Sequence, residues 1–118
     1  MTKIKEMEYK LLSLRSERKI ADEEYHRIHK LWVQKIETEY QENKPERLSN
    51  AQKRAYAVEQ RIKEDNNAQV LKEKIKYLEK EIAMLEIDLG FERREFMRYY
   101  ADTLYLAGTL LGAVVPRY

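Results

Sequence analysis

The sequence predicts an all-α protein: a long antiparallel helical hairpin, coiled-coil-like, followed by a C-terminal helix that can close as a three-helix arrangement or an oligomeric bundle. Three observations carry this. The first is a seam at alternating steps of four and three through Leu71, Ile75, Leu78, Ile82, Leu85, Leu89, Glu92, Phe96, Tyr99, Thr103, Leu106 and Leu110, with Glu92 its one charged member. Steps of four and three average 3.5 residues, the repeat of a helix that lies against another helix. The second is a similar seam from Ile4 to Tyr40. The third is the break at Pro45, in a chain of 118 residues with only three Gly and two Pro.

The first helix is expected from about Lys3 to about Tyr40. Its seam is Ile4, Met7, Leu11, Leu14, Arg18, Ala21, Tyr25, Ile28, Trp32, Ile36 and Tyr40. As a seam residue Trp32 should be substantially buried. Arg18 interrupts the apolar run; its stem can pack while its head reaches water, and a charge there can fix register. Leu12, Leu31 and Val33 widen the apolar stripe, which implies more than one neighbour. Pro45 ends the helix and moves Lys44 out of the helical region. Ser49-Asn50-Ala51-Gln52 then reads as a capping box, with Ser49 as the cap. The next helix has Ala51, Ala55, Val58 and Ile62 as its seam, with Tyr56 beside it.

Asp65-Asn66-Asn67 disturbs the pattern, because Ile62 and Leu71 are nine residues apart. The helix either continues with a register shift or restarts with Asn67 as cap. With no Gly or Pro there, continuity is the expectation. Gly90 costs a helix about 1 kcal/mol against Ala and suggests a kink or a tight crossing. Aligning the arms about a turn at 42–49 divides the chain into a hairpin, 1–90, and an association helix, 91–118, without a partner inside the hairpin.

That last segment begins amphipathic and Arg-rich and continues into thirteen uncharged residues, Thr103 to Val115, before Pro116-Arg117-Tyr118. An apolar helix without a partner must bury itself in another copy, another protein or lipid. The association residues are Phe96, Tyr99, Leu106, Gly108, Leu110 and Gly112. Gly108 and Gly112 form a G-x-x-x-G, but the uncharged run falls short of the roughly seventeen residues a membrane crossing needs. Arg93, Arg94 and Arg98, near Tyr99 and Tyr100, are candidates for phosphate contact. Glu92, Glu95 and Asp102 are interleaved with them, which is the pattern of pairing along a helix.

Other chemistry is thinly represented. The 23 basic and 21 acidic residues are interspersed, without the basic excess of a nucleic-acid binder. No cysteine is present, which excludes disulfides and Cys-based zinc sites. Glu23-Glu24-Tyr25-His26 holds one Glu-x-x-His, whereas a di-metal bundle needs two. His26 and His29 are read as solvated. Serine occurs only at Ser13, Ser16 and Ser49, and no phosphate loop or triad-like set appears. The expectation is a non-enzyme with no catalytic residues, cofactor or metal. The charged start, lacking an apolar stretch, gives the further expectation of an intracellular protein.

Three stretches resemble short coiled-coil proteins carried by bacteriophages: Ser49-Asn-Ala-Gln-Lys-Arg-Ala-Tyr-Ala, Leu78-Glu-Lys-Glu-Ile, and Asp88-Leu-Gly-Phe-Glu-Arg-Arg-Glu-Phe. That group shares an Ala- and Tyr-containing helix start, Leu-rich heptads, and an acidic residue followed by an Arg pair. The resemblance covers about half of the chain, and the apolar tail departs from it. It implies a structural or accessory protein in the host cytoplasm, acting through a homo-oligomer or a helical protein partner. Many of the group are encoded among replication and recombination genes, so a nucleic-acid-associated factor is one alternative. A peripheral membrane or virion component using the tail is another.

Overall fold

A computed structural model describes residues 2–114, with side chains through Gly108. Three α-helices follow in order: α1 (Thr2–Asn43), α2 (Ala51–Glu64) and α3 (Asn66–Val114), with a 3-10 turn at Glu46–Leu48 after α1. No strand occurs among the described residues. The chain is all-α and hairpin-like, and it divides into two compact units: 13–82, and 1–12 with 83–118.

In the unit formed by residues 13–82, α1 runs antiparallel to α2 and the start of α3. Arg18 Nη2 donates to Glu79 Oε1 at 2.9 Å, and Trp32 Nε1 donates to Asp65 Oδ2 at 2.9 Å. Ala21, Ile36, Val58, Ile62, Ala68, Leu78 and Ile82 are buried. Tyr25, Ile28, Trp32 and Tyr40 pack against the cluster around Leu48. Trp32 is only partly buried, short of the burial its seam position predicts. Its indole N–H requires a polar partner, and Lys35 and Arg61 sit over its ring at 4.6 and 5.8 Å.

The turn is built around Leu48, which has no exposed surface. α1 ends at Asn43. Lys44 has φ 42°, the left-handed conformation that closes a helix, and its N–H reaches Tyr40 O at 2.9 Å. Pro45 is extended, and the 3-10 turn follows. Arg54 clasps the turn: it donates to Leu48 O at 3.1 Å, pairs with Glu37 at 3.1 Å and lies 4.4 Å over the Tyr40 ring. Arg47 pairs with Glu39.

Two sequence expectations are corrected here. The cap of α2 is Asn50, whose Oδ1 accepts from Lys53 N at 2.8 Å. Ser49 is in right-handed helical conformation, and a cap requires extended backbone; its hydroxyl accepts instead from Lys53 Nζ at 3.1 Å. Ala51 and Ala55 are exposed. With Arg54 drawn over Tyr40, α2 presents Ala57, Val58 and Ile62 to the core.

The helix does not continue through Asp65. α2 ends at Glu64, and Asp65 adopts φ −82°, ψ 111°. Its Oδ1 caps α3 by accepting from Ala68 N at 3.0 Å, while Oδ2 holds the Trp32 N–H. Gln69 Nε2 donates to Ile62 O at 2.9 Å, satisfying a carbonyl at the α2 end. The break is thus a local Asp65 cap joined to a side chain from α1, with no Gly or Pro involved. Asn67 lies inside α3 and caps nothing.

In the other unit the first residues of α1 run beside α3 from Ala83 onward. Leu11 and Leu89 are buried, at 7% and 2% exposure. Ile4, Met7, Leu85, Glu92 and Phe96 are half-buried beside them. Lys3 pairs with Glu92 at 2.8 Å and Arg93 with Glu8 at 3.1 Å, so pairing passes beyond Gly90. Gly90 is neither a break nor a tight crossing. α3 is continuous through it, and an added Cβ would meet only Arg94 Nη1, at 3.5 Å.

Candidate association surface

The α3 seam changes character after Phe96. From Leu71 to Phe96 each seam residue is buried or half-buried. From Met97 to Gly108 every residue is exposed. Met97, Tyr99, Tyr100, Leu104, Tyr105 and Leu106 show between 50% and 74% of their surface. At 100° per residue, Arg98, Asp102 and Tyr105 share one narrow stripe of the helix. The remaining circumference is apolar or small. A stripe that wide is more than one neighbouring helix covers.

The expected association residues divide as follows. Phe96 is half-buried and stacks on Tyr100, ring centroids 6.3 Å apart and planes 22° apart, so it belongs to the edge of the packed region. Tyr99 and Leu106 are exposed by 71% and 61%. Gly108 has open space where a Cβ would stand. The side chain of Leu110 and the surroundings of Gly112 lie outside the described residues. Tyr100 and Leu104 join the exposed set, flanking the seam, while Tyr105 is exposed on the Arg98–Asp102 stripe.

Two of the three candidate arginines, Arg93 and Arg98, have acidic partners. Arg93 holds Glu8, Arg98 pairs with Glu95 at 3.4 Å along the helix, and Arg94 lies beside Gly90. Such pairs offset much of the positive potential a phosphate backbone would seek. Lys3 is held charged by Glu92, whose hydrogen bond and negative charge raise its pKa. His26 is exposed and His29 half-buried. Among the described residues no group of three or more His, Asp or Glu is placed to hold a metal ion. None of the described helical segments is long and apolar enough to cross a membrane.

An open groove in the 13–82 unit has Val33, Ile36, Ala51, Ala55 and Val58 as its apolar lining, with His29 and Glu37 at its rim. No hydroxyl or thiol side chain lines it. No protein-family model, curated protein or solved structure matches the chain.

Proposed function

We propose that the protein is a non-catalytic structural or accessory interaction protein of the phage type, acting through helix–helix association, with the end of α3 as its association element. The observation that carries this reading is the run from Met97 to Gly108, exposed throughout and rich in large apolar side chains. Water is a poor solvent for such a surface. Burying four side chains of this size contributes roughly 6–12 kcal/mol before ordering costs. Tyr99 and Tyr100 suit this role, combining apolar area with a hydroxyl that tolerates water. The open backbone at Gly108 allows close approach of another helix.

Sedimentation of the full chain beside a Tyr99→Ser, Leu104→Ser, Leu106→Ser variant tests the reading. The variant should keep its helical circular dichroism and lose mass or a copurifying helical partner. An unchanged assembly would remove the tail from this role. Flotation of the parent chain, but not the variant, with liposomes would assign the tail to lipid instead.

A further inference from the structure

α1 carries a second, shorter seam that its hairpin does not use. Ile20, Glu24, Arg27 and Leu31 recur at steps of four, three and four, and all four are exposed. Leu31 lies in an open groove with Glu24, Arg27 and Val70, floored by half-buried Ile28 and Leu71. Ile20 is three turns from Leu31 and therefore on the same face of α1; Tyr77 is two turns from Val70 and on the same face of α3. The contact of Arg18 with Glu79 sets Ile20 level with Tyr77. One face of the 13–82 unit thus presents Leu31 at one end, Val70 level with Arg27, and Ile20 and Tyr77 at the other end. They are exposed by 53%, 67%, 53% and 60% respectively. Glu24 and Arg27 stand between, and neither takes part in an ion pair among the described residues.

We infer that this face is a two-fold interface with a second copy of the chain. The order along α1 is apolar, acidic, basic, apolar. Read in the opposite direction it is apolar, basic, acidic, apolar, so the seam is complementary to itself. A two-fold axis lying in the contact plane, and crossing α1 midway between Glu24 and Arg27, stacks the two α1 helices antiparallel. Ile20 then meets Leu31 of the second copy, and Glu24 meets its Arg27. On α3 the axis then passes level with Leu71 and Lys72, so Val70 of each copy lies within a turn of the other's. Each α1 contact occurs twice, as an isologous interface requires. Two hairpins joined in this way make a four-helix bundle in their 13–82 units. The two symmetry-related ion pairs fix the register, because sliding by one turn sets charge against leucine or isoleucine. This interface is separate from the tail and does not depend on it.

The chain has no cysteine, which permits a direct test in the full-length protein. Ile20→Cys and Leu31→Cys are made singly, mixed in equal amounts and oxidised gently. The mixed disulfide between position 20 of one copy and position 31 of another should form at least ~tenfold faster than either like-with-like product, since like positions lie about 16 Å apart along the helices. Glu24→Arg, introduced into both cysteine chains, should suppress that product by about tenfold, through like-charge repulsion at two places. Adding Arg27→Glu should restore it. Equal rates for the three disulfides, or no rescue by the exchanged pair in a chain with unchanged circular dichroism, would overturn the proposal. Chains joined only through the tail would give no preference for the 20–31 product and would also overturn it.

Discussion

Replacing Asp65 by Ala removes two interactions at one carboxylate. Oδ1 no longer caps α3 at Ala68 N, a loss worth about 1 kcal/mol. Oδ2 no longer accepts from Trp32 Nε1; the indole is only partly buried, so water replaces some of that bond and about 1 kcal/mol is lost. Asp65→Ala should therefore cost about 2 kcal/mol in urea unfolding followed at 222 nm. Asp65→Asn retains an oxygen able to cap and should cost about 1 kcal/mol. Trp32 is the single tryptophan, so its fluorescence reports on the same contact. A double-mutant cycle with Trp32→Phe should show coupling near 1 kcal/mol. The Asp65 carboxyl titrates below the ordinary range, first because the Trp32 N–H and second because the Ala68 N–H stabilise the anion. The unfolded chain therefore takes up this proton more readily. The contribution is complete above the ordinary aspartate pKa of about 3.9 and is lost as pH falls through the lower folded value. An Asp65→Ala cost under ~0.5 kcal/mol, or absence of coupling, would refute this account of the break.

Asn50→Ala should destabilise by about 1 kcal/mol and Ser49→Ala by under ~0.5, because Asn50 alone caps α2; equilibrium unfolding of the two variants separates them. Gly90→Ala should raise stability by up to ~1 kcal/mol, since the added methyl meets only the Arg94 side chain at van der Waals distance and the helix gains propensity; a loss would reveal a clash at that site. Arg18→Leu should raise stability by about 1 kcal/mol, because the Glu79 pair is half-exposed and weak while Arg18 Nε is buried without a hydrogen-bond partner; thermal unfolding measures it.

Periodicity was a good guide wherever two arms of the same chain meet. Each α1 seam position from Ile4 to Tyr40 is buried or half-buried, Arg18 included, and so is each α3 seam position from Leu71 to Phe96. Beyond Phe96 the pattern continues while burial stops, because periodicity reports which face is apolar and not what covers it. The break at Asp65 had no local signal strong enough to read. The cap that opens α3 there is held by Trp32, thirty-three residues away. The α2 cap was off by one residue because Ser49 and Asn50 are both good caps, and the 3-10 turn decides between them. For the candidate surface, the sequence identified Tyr99 and Leu106 from the extended seam. The Ile20–Leu31 seam escaped notice because its two central members are charged.

The break at Asp65 also separates two lengths. On one side of it are the Leu48 plug and the Arg54 clasp; on the other is the ladder that pairs α1 with α3. Seven residues inserted into α1 between Arg18 and Trp32, with seven more in α3 between Ala68 and Glu79, would return every ladder position to its phase. Each arm would grow by about 10 Å, and no side chain of the turn would change neighbours. Reach in this protein is therefore adjustable in heptad increments, like rungs added below a fixed top step.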